Sequence, residues 1–142
     1  MRLIVFIFLI TSLHSCSNQL EVFLQDASQV EFISLPLRLN VLTAIDTEER
    51  FDRYNPNIKD TIYLPAKEVG FLLGNRLKGI GSIDIRIKAT IVDRTGIQKK
   101  VFISRTGTLI FDGQIYEGSE QIRSLIKKVD SLRFDNNDSH IW

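Results

Sequence analysis

The amino-acid sequence predicts an α+β domain: a mainly antiparallel sheet of about five or six strands, with a C-terminal amphipathic helix on one face and room for a second short helix. Three observations carry this. Residues 83–104 alternate apolar and polar side chains on both sides of a four-residue turn. Two further turn signals follow closely. Ile122, Leu125, Ile126, Val129 and Leu132 then recur at the spacing of a single helical face. Strands followed by a helix with one apolar stripe give a sheet covered on one side. The 142 residues suit one such domain, and no repeat, low-complexity block or proline-rich linker divides residues 17–142.

The first segment stands apart. Met1-Arg2 is a short positive start, and Leu3 to Leu13 is an apolar run interrupted only by Thr11 and Ser12. As a helix that run rises about 16 Å, against about 30 Å of membrane hydrocarbon, so it suits the core of a signal peptide and not a membrane span. Leu13-His14-Ser15-Cys16 follows and resembles the lipobox of bacterial lipoproteins. Leu13, Ser15 and Cys16 match the pattern, and His14 stands where a small or aliphatic residue is usual. The resemblance covers residues 1–16 alone. It implies signal cleavage at Ser15, a lipid on the Cys16 sulfur, and a membrane anchor of two or three acyl chains, durable where a single chain holds only marginally. In a Gram-negative host, Ser17, in place of the aspartate associated with inner-membrane retention, implies the outer membrane, on its periplasmic or surface face. Without lipidation, the segment reads as an ordinary secretory signal that leaves Cys16 a free thiol.

Residues 16–29 are expected to form the lipidated cysteine and a tether, residues 30–134 the single domain, and residues 135–142 a flexible tail. From Val30 the chain turns strand-like. Leu37, Leu39, Val41, Thr43 and Ile45 alternate with Arg38, Asn40, Leu42 and Ala44, as in a half-buried strand. Pro36 marks a bend or an edge, since it cannot donate to a ladder. The polar stretch from Asp46 leaves room for a short helix over Thr47–Arg53 and closes on Asn55-Pro56-Asn57 as a turn. Ile62-Tyr63-Leu64 follows, then Pro65, which suits a first helical turn. Val69, Leu72, Leu73, Arg76 and Leu77 have helical spacing, weakened by Gly70 and Gly74 at about 1 kcal/mol each. A helix there would end by Gly79-Ile80-Gly81.

The clearest strand signal comes next. Ile83, Ile85, Ile87, Ala89 and Ile91 share one face, with Asp84, Arg86, Lys88 and Thr90 on the other. Asp93-Arg94-Thr95-Gly96 turns the chain, and Val101 and Ile103 return inward, giving an antiparallel hairpin with one wet face. Arg105-Thr106-Gly107 turns again into Thr108–Phe111, and Asp112-Gly113 has type I′ composition ahead of Gln114–Tyr116. Ser119 can cap the last helix, with Glu120 in its first turn and Lys127 and Lys128 late, as the helix dipole favours.

Composition excludes several classes. Eighteen basic residues against 17 acidic, with 44% apolar, fit neither a disordered charged tail nor a dedicated nucleic-acid binder. Cys16 is the only cysteine, which excludes an internal disulfide and a multi-cysteine metal site. His14 leaves with the signal and only His140 remains, so most Ser-His-Asp and Cys-His schemes and histidine-based zinc sites fall away together. No metal or cofactor is expected.

The remaining constellations are weak. Gly74 and Gly79 are spaced as in a phosphate loop, but Ile80 and Gly81 occupy the Lys and Ser/Thr places, and Asp84 replaces the third glycine of a dinucleotide loop. A turn feeding the next strand explains the cluster better. Asp84, Asp93, Asp112 and Glu117 are the carboxylates available for glycosidase chemistry, although Asp93 and Asp112 sit in turns that favour aspartate. Asp135, Asn136, Asn137 and Asp138 lack the spacing of a calcium loop, and Asn137-Asp138-Ser139 is a glycosylation sequon without use in a bacterium. Arg86, Lys88 and Lys100, joined by Phe102 if register permits, form a basic face for an acidic partner or glycan; a solvated strand face looks the same. A small-ligand module would need a cleft lined by Tyr54, Tyr63 or Tyr116.

The expectation is a lipid-anchored cell-envelope protein that binds another protein, as an assembly accessory, inhibitor or immunity factor, and is not an enzyme. The alternative is a carboxylate-based hydrolase or a glycan-binding module acting on envelope polysaccharide.

Overall fold

In a computed structural model, residues 15–38, 43–54, 56–71 and 73–138 are described. Helix α1 (Ser15–Asp26) runs into strand β1 (Ala27–Ser34), and an excursion carrying α2 (Glu48–Arg53) leads to β2 (Asp60–Pro65). Strands β3 (Arg76–Leu77), β4 (Ile85–Asp93), β5 (Gln98–Ser104), β6 (Leu109–Phe111) and β7 (Gln114–Tyr116) follow, then helix α3 (Glu120–Asp138). The strands form one seven-stranded sheet in the order β2-β1-β4-β5-β6-β7-β3, with every neighbouring pair antiparallel. The fold is α+β as predicted. Its seventh strand, β3, is two residues long and too short to leave a periodicity.

One face of the sheet carries the main core. Val30 and Phe32 of β1, Ile87, Ala89 and Ile91 of β4, Val101 and Ile103 of β5, and Leu109 and Phe111 of β6 are all buried there. Leu20 and Leu24 of α1 pack onto them, as do Ile122, Leu125, Ile126 and Val129 of α3. Each buried aliphatic side chain contributes about 1.5–3 kcal/mol, so this layer is the principal source of stability. The final helix starts where Ser119 Oγ accepts from the Ile122 amide at 3.3 Å. Lys128 then pairs with Glu68 at 2.7 Å, and Arg133 pairs with Asp60 of β2.

The opposite face is covered in part by the excursion between β1 and β2. Leu35, Ile45 and Phe51 are buried there together with Ile85. A β-bulge explains how Ile85 reaches them. Ile85 faces Ser104 and Ile87 faces Ile103, so β4 has one residue more than β5 across this step. Ile85 therefore points away from Ile87, and the isoleucine alternation does not stay on one face. Three backbone contacts fix the excursion: the Leu35 amide donates to Arg86 O at 2.8 Å, the Ile85 amide to Ile45 O at 2.7 Å, and the Ile45 amide to Asp84 Oδ1 at 3.1 Å.

Several local expectations are corrected. Residues 16–29 are no tether, because they form α1 and the start of β1, with Leu20 and Leu24 four residues apart on the buried side of the helix. The strand expected over 37–45 is not formed at its ends: residues 37–38 turn after Pro36, residue 43 bends, and 39–42 lie outside the described residues. The short helix over 47–53 is present, capped by Thr47 Oγ1, which accepts from the Arg50 amide at 3.2 Å. The helix expected over 69–77 is absent. A 3-10 turn at Ala66–Glu68 leads instead to an irregular chain that buries Val69, Phe71 and Leu73. Gly74 suits that path, since a Cβ there would lie 2.5 Å from Glu117 O. The tail is also shorter than expected, because no glycine or proline stops α3 before Asp138. The signal segment 1–14 and residues 139–142 lie outside the described residues. All three predicted turns form, joining β4–β5, β5–β6 and β6–β7, and Asp112 and Gly113 have φ of 48° and 70°, as a type I′ turn requires.

Candidate functional site

Of the four residues expected to form a basic face, Lys88, Lys100 and Phe102 are brought together by register, while Arg86 stands at the β4 bulge. Ile33, Lys88, Phe102 and Ile110 make one row across β1, β4, β5 and β6, and Thr90 and Lys100 stand in the next row. Register thus places Phe102 directly beside Lys88. This part of the face is not a free cationic surface. Arg86 is only 2% exposed and forks onto Asp84 Oδ2 through Nε at 2.8 Å and Nη2 at 2.6 Å. Lys88 is likewise buried and reaches Asp52 at 2.5 Å. Lys100 pairs with Glu48 at 2.6 Å. Helix α2 supplies both of these carboxylates and buries Phe51, with the Lys59 and Lys88 ammonium groups 5.3 and 5.8 Å from its ring. Burial lowers the Lys59 pKa, whereas the hydrogen bond that Lys100 donates to Glu48 raises that of Lys100.

Beyond the edge of α2 the face opens into a trough of about 380 Å³. Its floor is a row of side chains crossing four strands: Tyr63 on β2, Glu31 on β1, Thr90 on β4 and Lys100 on β5. Adjacent strands lie about 4.8 Å apart, so the row spans about 14 Å. Tyr63 is 55% exposed and donates to Glu31 Oε2 at 2.9 Å, a bond that raises the phenol pKa. Val92 and Gln98, facing each other near the hairpin end, close the trough on that side. Of the three tyrosines considered, Tyr63 alone lines it; Tyr54 packs against the second apolar cluster and Tyr116 is buried in the main core. Sequence reasoning places Thr90 on the wet face of the hairpin but misses Glu31 and Gln98 as its neighbours, because nothing local sets β1 beside β4.

The four carboxylates considered for hydrolysis have separate structural tasks. Asp84 holds Arg86 and the Ile45 amide. Asp93, at the other end of β4 and so about 30 Å away, closes its turn. Its carboxylate accepts from the Thr95 hydroxyl at 2.7 Å and from the Thr95 and Ile97 amides at 2.8 and 2.9 Å. These bonds, the hydroxyl's first, hold its pKa below the usual carboxylate range. Asp112 occupies the type I′ turn, and Glu117 lies beside Asn75. Gly79, with φ of 68°, belongs to the chain between β3 and β4 and not to a phosphate loop. Among the described residues no group of three or more His, Cys, Asp and Glu could hold a metal ion, and no helix is long and apolar enough to cross a membrane. Ser15 and Cys16 begin α1.

The comparisons with known proteins return nothing. No family model, no curated protein and no solved structure matches the chain.

Proposed function

We propose that the chain is a lipid-anchored envelope protein that works by holding another envelope component, with the trough beside α2 as its binding surface. The observation that carries this is the uncovered row Tyr63–Glu31–Thr90–Lys100, on a sheet whose other face is filled by α1 and α3. The assembly-accessory, inhibitor and immunity roles all need such a surface and no catalytic set. Of the carboxylates considered for hydrolysis, Asp84 and Asp93 stand at opposite ends of β4, too far apart to flank one bond.

The anchor in this reading is the Cys16 sulfur, on the strength of the apolar run and Leu13-His14-Ser15-Cys16. The domain would then sit close to the bilayer, because Leu20 is buried only four residues, or about 6 Å of helix, after the lipidated cysteine. The outer membrane is the proposed location. Replacing Cys16 with alanine should abolish acyl labelling and release the protein from the membrane fraction; unchanged retention overturns the anchor. For the binding surface, a benzophenone amino acid at position 63 should yield an adduct in native membranes that the same group at Ile80, exposed and remote from the trough lining, does not. Equal adducts from both positions, or none, overturn the reading.

A further inference from the structure

We propose that the trough receives a cationic side chain, arginine or lysine, presented by the protein that this surface holds, with Glu31 as its counter-charge and the Tyr63 ring as its seat. This rests on the trough being the binding surface, and it adds the chemistry of the occupant. Charge is the first argument. The lining contains two carboxylates, Glu31 and Asp93, and two ammonium groups, Lys88 and Lys100. Both ammonium groups are neutralised from α2, Lys88 by Asp52 at 2.5 Å and Lys100 by Glu48 at 2.6 Å. The two carboxylates have no such relief. Glu31 accepts from the Tyr63 hydroxyl, and Asp93 from the Thr95 hydroxyl and two amides, all neutral donors. Among the described residues, no ion pair includes either of them. Lys59, a further cation beside α2, donates to the Asp52 carbonyl oxygen at 2.8 Å. With Lys59 counted, four carboxylates still face three ammonium groups. The lysines that make β4 and β5 read as basic are thus engaged by α2, and the open surface carries a net negative charge.

The second argument is where that charge stands. Glu31 lies between Tyr63 on the edge strand β2 and Thr90 on β4. Lys100, in the same row, is two strands away, or about 10 Å. The Tyr63 hydroxyl takes Glu31 Oε2, which leaves Oε1 for a further donor, and the Thr90 hydroxyl beside it is another acceptor. Glu31 raises the Tyr63 pKa through its hydrogen bond and then its charge, and no cation acts on the phenol in the opposite sense. Tyr63 also offers an exposed ring, whose face attracts a guanidinium or an ammonium group. A carboxylate and an aromatic face side by side match a cation at the end of a long side chain, and a trough of about 380 Å³ has room for one. A neutral occupant would leave the surplus charge unmatched, and an anionic one, such as a nucleic acid, would meet a surface of its own sign. A metal ion has too few ligands, because no group of three or more His, Cys, Asp and Glu among the described residues could hold it.

The test titrates the purified full chain in non-ionic detergent with blocked tripeptides in which glycines flank a central arginine, lysine, citrulline or glutamate, followed by amide and side-chain NMR shifts. The arginine and lysine peptides should shift Tyr63, Glu31 and Thr90 at millimolar concentrations. Citrulline, the neutral isostere of arginine, should bind about threefold to fivefold more weakly, the range set by an exposed charge pair. Glu31→Gln keeps an acceptor for the Tyr63 hydroxyl but removes the charge, and should weaken the cationic peptides by the same factor. Salt at about 1 M, where the Debye length is about 3 Å, should act likewise. Tyr63→Phe keeps the ring and should retain the binding, whereas Tyr63→Ala should weaken it. Citrulline binding as tightly as arginine overturns the proposal, as does a preference for glutamate or a response that Glu31→Gln and salt leave untouched. In native membranes the position-63 adduct should fall when Glu31→Gln is added. If that adduct forms but is undiminished by Glu31→Gln, or forms while neither cationic peptide binds, the cationic occupant is wrong and the binding surface stands. If neither the peptides nor the adduct is seen, both readings fall.

Discussion

Strand β4 sends Ile87, Ala89 and Ile91 into a core roofed by two helices, and Lys88 to the opposite face under a six-residue helix. The first side is a continuous apolar layer reaching from β2 to β7. The second combines a small apolar cluster of Leu35, Ile45, Phe51 and Ile85 with ion pairs from Asp52, Glu48 and Asp84. The difference teaches that covering a sheet need not mean building a second core of the same kind. The excursion is held by a few directional contacts, which leaves half of its face open as the trough.

Two phenylalanines, each fully buried, test that contrast most strongly. Phe32→Ala opens a cavity in the main core and should cost about 3–5 kcal/mol in urea unfolding. Phe51→Ala should cost less, because the excursion can detach while the main core stays folded. Amide exchange should then accelerate over Glu48–Arg53 and remain slow in α3. If both substitutions cost the same and all amides exchange together, the two faces form one cooperative unit and the contrast fails.

The next largest effect concerns Arg86. Asp84→Asn keeps an acceptor for the Ile45 amide but removes the charge facing a guanidinium that is 2% exposed. An uncompensated buried charge is strongly destabilising, and since Asp84 is itself 29% exposed we expect a loss of about 2–3 kcal/mol. Adding Arg86→Met to Asp84→Asn should recover most of it, since an apolar replacement of both partners is often neutral. A double variant no more stable than the single would show that the ion pair is not what the excursion depends on.

These two regions were also unequally legible. The β4–β5 hairpin, both later turns and α3 follow from local periodicity and turn chemistry, and they formed where the sequence placed them. Arg86 and Lys88 read as solvated because alternation alone carries no news of a covering segment; the carboxylate that binds Lys88 lies 36 residues earlier, in α2. The bulge at Ile85 was silent for a related reason, since an extra residue in one strand is defined only by its partner. In α1 the signal is present, as Leu20 and Leu24 at helical spacing, but the flanking polar residues Asn18, Gln19, Glu21, Gln25 and Asp26 give the stretch a mixed pattern that also suits a tether. Of the trough, Tyr63 and Lys100 were among the residues considered, and the sheet order that joins them was not readable from either.

The smallest expected effect is specific to the second face, where Lys59 and Lys100 contact α2 and have shifted pKa values. Glu48 holds the Lys100 pKa above the ordinary lysine value, first through its hydrogen bond. A raised folded-state pKa means that the contribution is complete below the unfolded value and is lost as pH climbs through the higher, folded one. Lys59 behaves in the opposite sense. Burial lowers its pKa, so the unfolded chain holds that proton more tightly and deprotonation favours the fold. Rising pH should therefore tighten α2 slightly below the ordinary lysine range and loosen it above. The 19F resonance of 4-fluorophenylalanine at position 51 would report both steps, since the Lys59 and Lys88 ammonium groups lie 5.3 and 5.8 Å from its ring. In Glu48→Gln the alkaline step should disappear and added salt should matter less, with the tightening step left in place. A resonance that stays fixed until the whole protein unfolds would mean that α2 is held by Phe51 and its apolar neighbours alone, and that the ion pairs decorate this face without securing it.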